Sequence, residues 1–154
     1  MSDLEKGDSS LPRVEVSKII NAPIDKVFAI CSDMVSFAEF MPDVESVSLI
    51  EEGANYTITD WKTKLQGKRI EWREREDYDS VNYHIRYEQI KGDLKKMEGE
   101  WIFTESEDGT GVTLTMDFEF GLPLLEPVLN PVALLALRKN MNGMLSAIKN
   151  KAEL

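Results

Sequence analysis

The sequence predicts an α+β fold in which a seven-stranded antiparallel sheet wraps around one long C-terminal helix. Three features of the 154 residues point to it. Asn130 to Leu154 reads as a single amphipathic helix, and the chain before it alternates apolar and polar residues in run after run. Turn signals break those runs at roughly eight-to-twelve-residue intervals, the rhythm of an antiparallel meander. Asn130 can cap the first helical turn, Pro131 suits the first helical position, and no later proline interrupts. Leu134, Leu137, Met141, Met144, Leu145 and Ile148 recur at helical spacing, so one face is built for burial.

The remaining elements follow in order. Val14 to Ile20 is a first strand rich in branched residues, ending at the helix start Asn21-Ala22-Pro23. A short helix over Pro23 to Cys31 puts Ile24, Val27, Phe28 and Cys31 on one side; Ser32 or Asp33 can cap a second, which ends before Pro42. Six more strands are expected at Val44 to Ile50, Asn55 to Leu65, Lys68 to Glu76, Val81 to Ile90, Met97 to Thr104 and Val112 to Phe120. The turns between them are Glu51-Glu52-Gly53, Gln66-Gly67, Asp77 to Ser80, Lys91-Gly92-Asp93 and Glu107-Asp108-Gly109. Successive strand residues point to opposite faces. Val81, Tyr83, Ile85 and Tyr87 therefore share a face, as do Met97, Gly99, Trp101 and Phe103, and Val112, Leu114, Met116, Phe118 and Phe120; these sets should line the concave side.

Length and composition narrow the classes. Residues 13–154 make one domain behind a polar tail over residues 1–12, long enough to bury a core and a pocket. A formal net charge of -10 argues against a nucleic-acid partner and against stable docking on anionic lipid. The single Cys31 allows no internal disulfide, which suits a reducing, cytoplasmic setting. The start carries no apolar signal stretch, and Gly121 to Leu137 is too short and too broken by Pro123, Pro127 and Pro131 to span a bilayer. With one histidine and one cysteine, a transition-metal site has almost no support; no glycine-rich strand-to-helix turn signals a nucleotide cofactor. The expectation is no metal and no cofactor.

Three stretches together carry a resemblance: NAPIDKVFAICSDMVSFAEFMPDVESV from Asn21, GKRIEWRERED from Gly67, and GDLKKMEGEWIF from Gly92 followed by VTLTMDFEF from Val112. Over about Val14 to Lys151 the chain resembles the polyketide cyclase/dehydrase and lipid-transport family of the START/Bet v 1-like superfamily, which includes aromatase/cyclases and coenzyme Q-binding START proteins. The resemblance rests on the order of elements rather than on any one motif. It implies the helix-grip fold, with two short helices between the first and second strands. It also implies an apolar pocket between sheet and helix for a sterol, lipid, quinone or polyketide. Function still has to be argued from the site, because this fold hosts binding proteins and enzymes alike.

The strand over Lys68 to Glu76 carries the chemistry. Ile70, Trp72, Glu74 and Glu76 share one parity; Arg69, Glu71, Arg73 and Arg75 share the other and read as a solvated face of cross-strand ion pairs. An inward Glu74 or Glu76 would hold a proton and serve as a general acid or hydrogen-bonding group. The alternative is that the strand end runs past the cavity into water; this is the expectation for Glu76, while Glu74 is balanced between the two. The resembling aromatase/cyclases place an arginine four residues after the tryptophan and a histidine before the Asp-Phe pair. Here those positions are Glu76 and Met116, unless a register shift gives Arg75 the arginine's place. His84, alternating with Asn82 and Arg86, reads as a surface residue, and Cys31 as a small buried one.

The catalytic candidates are Glu74, Arg75 and Tyr83. The cavity candidates from the short helices and the sheet are Phe37, Phe40, Ile70, Trp72, Glu74, Glu76, Tyr83, Tyr87, Met97, Trp101, Phe103, Met116 and Phe118, with Trp61 also able to pave the pocket. Leu134, Leu137 and Met141 would supply the helix wall. Each aromatic could equally be plain core. The apolar segment Gly121 to Leu129 reads as a non-helical lid, a membrane or protein contact, a dimer surface, or loop packing, with monomer and homodimer both open. The leading function is binding or transport of a lipid, isoprenoid quinone or polyketide-like aromatic. The alternatives are a polyketide aromatase/cyclase and a protein-interaction module.

Overall fold

The computed structural model describes residues 11–121 and 125–154. The first ten residues of the expected tail and residues 122–124 of the apolar segment lie outside them. The chain runs β1 (Arg13–Ile20), α1 (Ile24–Ser32), a 3₁₀ helix (Met34–Glu39), β2 (Val44–Glu52), β3 (Tyr56–Leu65), β4 (Lys68–Asp79), β5 (His84–Gly92), β6 (Lys96–Ser106), β7 (Gly109–Glu119) and α2 (Glu126–Ala152). The seven strands form one sheet in the order β1-β7-β6-β5-β4-β3-β2, antiparallel throughout. This is the helix-grip arrangement, with two short helices between β1 and β2.

Local chemistry explains most of the boundaries. Gln66 and Gly67 both take positive φ, 54° and 79°, between the paired Leu65 and Lys68, as a two-residue hairpin requires. Val81 does not begin a strand, as its branched side chain suggests. The Asp79 carboxylate accepts the backbone N–H groups of Val81 and Asn82 and the Asn82 amide, which closes a turn and leaves Val81 exposed. Tyr83 follows with φ 54°, and β5 starts only at His84.

α2 also departs from expectation. It begins at Glu126, four residues before Asn130, so Asn130 lies inside the helix and does not cap it. Pro127 occupies the first turn, where its missing N–H costs nothing. Pro131 sits within the helix and removes only one backbone bond, to the Pro127 carbonyl. The helix packs Leu137, Met141, Leu145, Ile148 and Ala152 against the sheet's concave face. Its cations serve the exposed edge of the sheet: Arg138 donates to the Glu15 carbonyl and Lys149 to the Ile19 carbonyl of β1.

Candidate functional site

The inner face of the β3–β4 hairpin positions the site. In register, Thr57 faces Glu76, Thr59 faces Glu74, and Trp61 faces Trp72. The two indoles stack at 5.4 Å with planes 10° apart. Across from them stand Tyr87 of β5, Met97 and Trp101 of β6, and Leu114 and Met116 of β7, with Thr63 of β3 at the side. Asn140, Met141 and Met144 of α2 close the space. The resulting cavity is about 50 Å³, room for a few water molecules rather than for a lipid. Tyr87 fits because its cross-strand partner is Gly99: a Cβ there would strike both the phenol and the Thr115 carbonyl. The Tyr87 hydroxyl passes over Gly99 to donate to that carbonyl at 2.5 Å.

One carboxyl, Glu74, lies on the wall among the described residues, and Glu76 lies behind it, 0% exposed. The strand end does not run into water, because β4 continues to Asp79 and keeps Glu76 inside the sheet. Donors converge on Glu76. Thr57 Oγ1 donates to its Oε1 at 2.6 Å and Thr59 Oγ1 to its Oε2 at 2.5 Å. With its own hydrogen so directed, Thr57 accepts from the Tyr78 hydroxyl at 2.8 Å, and Thr59 accepts from Trp61 Nε1 at 2.7 Å. Glu74 accepts from Trp72 Nε1 at 2.7 Å and is hydrogen-bonded to Glu76.

The two threonine hydroxyls thus tie both Glu76 oxygens to β3, and the Glu74 carboxyl stands beside them. Burial raises Glu74 well above the usual carboxylate range, the hydrogen bond and charge of Glu76 add to the rise, and only the Trp72 N–H opposes it. Burial likewise pushes the Tyr78 and Tyr87 phenols up. Glu74, with its pKa so raised, faces a cavity wall that carries no lysine, arginine or histidine among the described residues.

The structure brings Trp72, Glu74, Tyr87, Met97, Trp101, Met116 and Met141 together around the cavity. It puts the other candidates elsewhere. Phe37, Phe103, Phe118 and Leu137 are buried core, and Leu134 is half-buried against it. The cavity therefore meets α2 about one turn beyond the expected leucines. Phe40 packs edge-on against Phe37 and lies under Lys151, and Ile70 is half-buried near the start of β4. Arg75 points outward, pairs with Asp77 and lies 4.1 Å over the Tyr56 ring. Tyr83 packs on Phe28 and donates to Asp25, which ties the β4–β5 turn to α1 and keeps its hydroxyl out of the cavity. His84 is half-buried on the outer face, hydrogen-bonded to Glu100.

Sequence reasoning misses Thr57, Thr59 and Tyr78 as partners of the acid pair, and Thr63 and Asn140 as wall residues; Leu114, expected on the concave side, and Met144, expected on the buried helix face, also reach the wall. The threonines do leave a signal: Thr57, Thr59 and Thr63 share the parity of Trp61 in β3. Among the described residues no group of histidine, cysteine, aspartate and glutamate is arranged to hold a metal, and no helix is long and apolar enough to cross a membrane. Leu125, Val128, Val132 and Leu135 leave an exposed apolar stripe along the first turns of α2.

A seven-stranded sheet closed by a C-terminal helix over a small apolar cavity defines a START/Bet v 1-like, helix-grip protein. Residues 20–145 match the model of the family "Polyketide cyclase / dehydrase and lipid transport", and the chain belongs to that family. Among solved structures it is similar to the protein TTHA0849 of Thermus thermophilus, with 26% identity and a TM-score of 0.86 over 92% of this chain and 97% of that one. It is also similar in fold to the Zhui aromatase/cyclase of a Streptomyces species, with 24% identity and a TM-score of 0.80 over 92% and 93%. A START superfamily protein from Mycobacterium smegmatis gives 16% identity and a TM-score of 0.77 over 92% and 97%. No curated protein matches the chain.

Proposed function

We propose that this protein binds one hydrophobic small molecule in the cavity between sheet and α2, and carries it within the cytoplasm. The observation that supports this most is the make-up of the wall: three tryptophans and the four methionines Met97, Met116, Met141 and Met144 around a single carboxyl among the described residues. Ligand pockets are apolar with a few convergent polar groups, but typically of about 300–1,000 Å³. A cavity of about 50 Å³ must therefore widen on binding. Methionines, unbranched and polarisable, are the side chains that repack most readily, and two of the four stand on α2. The exposed stripe from Leu125 to Leu135 supports a transient contact during loading or release.

The test is to purify the protein from its host, extract it with organic solvent and identify the released compound by mass spectrometry. A near-stoichiometric hydrophobic compound is expected, and Leu114→Trp, which fills the cavity, should lose it. An empty protein that also fails to take up added hydrophobic ligands would sink the reading.

A second reading, cyclisation and dehydration of a poly-ketone, is favoured by one observation, the buried Glu74 carboxyl on the wall, whose pKa burial raises. Against it, Glu76 and Met116 stand where the resembling cyclases keep an arginine and a histidine. The Glu74 carboxyl is also already hydrogen-bonded to Glu76. Regiospecific ring closure of a supplied poly-ketone, abolished by Glu74→Gln, would establish it.

A further inference from the structure

The Glu74 end of the cavity is rich in hydrogen-bond acceptors, and the donors beside it are already used. Trp72 Nε1 is committed to Glu74 itself, Trp61 Nε1 to Thr59, and the Tyr87 hydroxyl to the Thr115 carbonyl. The Glu74 carboxyl is hydrogen-bonded to Glu76. One strand over, Gln89 faces Glu74 in register; its Nε2 donates to the Leu94 carbonyl, while its Oε1 is buried with no partner. At this end the acceptors outnumber the uncommitted donors.

Charge narrows the class further. Two buried carboxyls, Glu74 and Glu76, meet at this end, and no cation lines the cavity among the described residues. The indoles of Trp61, Trp72 and Trp101 and the ring of Tyr87 surround it. Aromatic faces attract cations, more strongly where water is excluded. A chain with a net charge of -10 also draws cations towards itself.

We propose that the cavity takes a hydrophobic amine, held as its ammonium ion with its N–H donors on Glu74 and its carbon skeleton among the tryptophans and methionines. This rests on the reading of the cavity as a ligand site and names the ligand class. The proton balance is simple. An amine arriving protonated displaces the Glu74 proton to solvent; one arriving neutral takes that proton from Glu74. Either way the bound pair is ammonium and carboxylate. The other titratable groups facing Glu74 are Glu76 on its own strand, Tyr78 at the end of β4 and Tyr87 on β5.

The experiment is calorimetric titration of the full chain with three matched probes: a naphthyl-ethylamine, the corresponding naphthyl methyl ketone, and naphthylacetate. The amine should bind about tenfold or more tighter than the ketone, the factor expected of a charge-assisted bond in a dry site, and the carboxylate should bind weakest. Glu74→Gln should bring amine and ketone together. Should that variant not fold, wild-type titrations at neutral pH in two buffers of different ionisation enthalpy give the same answer, with about one proton released per ammonium ion bound. A ketone that binds as tightly as the amine overturns the amine proposal and leaves the cavity reading intact. Amine preference that survives in Glu74→Gln, or amine binding with no proton released, also overturns it. If none of the three probes binds, both readings fall.

Discussion

The two faces of β4 carry similar side chains and leave them in opposite states. On the outer face Arg73 grips Asp60 through two bonds of 2.7 and 3.0 Å, and Arg75 pairs with Asp77 in water. The Arg73 hydrogen bond holds Asp60 below the usual carboxylate range. On the inner face, one residue away along the same strand, Glu74 is pushed the other way and keeps its proton. Nothing in the residue type distinguishes the two acids. Solvent and partner do: an arginine beside a wet carboxylate favours the charged form, whereas two carboxyls in a dry interior cannot both ionise. The pleat of a strand turns a run of alternating charges into an ordinary surface and a chemically distinctive wall.

The largest effect that could break this comparison is on stability. Glu76→Ala strips the acceptor from the hydroxyl hydrogens of half-buried Thr57 and buried Thr59 and leaves a void in the inner network. A loss of about 3 kcal/mol is expected from urea unfolding. Asp60→Ala removes a carboxylate whose side chain is 42% exposed, so the loss should be small and mostly reproduced in the wild type by high salt. Equal losses in the two variants would mean that the inner network carries no more weight than a surface pair.

Next in size is the dependence on pH, where the two faces have opposite signs. Glu74 has a raised value in the folded protein and an ordinary one when unfolded. Its contribution is therefore complete below the ordinary carboxylate range and is lost as pH rises through the raised value. The slope cannot exceed about 1.4 kcal/mol per pH unit, the limit for one proton. Asp60 behaves inversely: its contribution is present above the ordinary range and lost as pH falls through the lowered value, damped by exposure. Unfolding midpoints between about pH 3 and 9 should show Glu74→Gln flattening the alkaline fall and leaving the acid limb alone. Parallel curves for wild type and variant would place the proton elsewhere.

How much of this is legible depends on which physical signal each part leaves in the chain. The sheet and its hairpins are readable because alternation and turn residues are local, as at Gln66-Gly67. The start of α2 is misjudged because Pro127 and Pro131 each satisfy the rule for an early helical position, and only packing decides between them. The parity of Trp72, Glu74 and Glu76 is visible, but burial of Glu76 requires β4 to run on to Asp79, and strand ends are weakly coded. The Asx turn at Asp79 overrides the strand preference of Val81 and moves Tyr83 away from the cavity. The partners of the acid pair are the least legible, since Thr57 and Thr59 meet Glu76 through cross-strand register, which no single strand contains.

The smallest expected effect is the sharpest check on parity itself. Arg75 is the candidate that a one-residue slip would bring into the cavity, in the place of the cyclase arginine. Its side chain instead reaches Asp77 and covers Tyr56, whose hydroxyl donates to Glu51, all on the outer face. Arg75→Ala should therefore leave ligand affinity, proton release and any ring-closing activity unchanged, with at most a slight, salt-sensitive change in the unfolding midpoint. Because a β-strand has a side-chain period of two, a one-residue slip of the whole strand would carry Trp72, Glu74 and Glu76 outward together. A marked loss of binding in Arg75→Ala, with Glu74→Gln silent, would invert the assignment of the whole strand and exchange the wet and dry faces compared above.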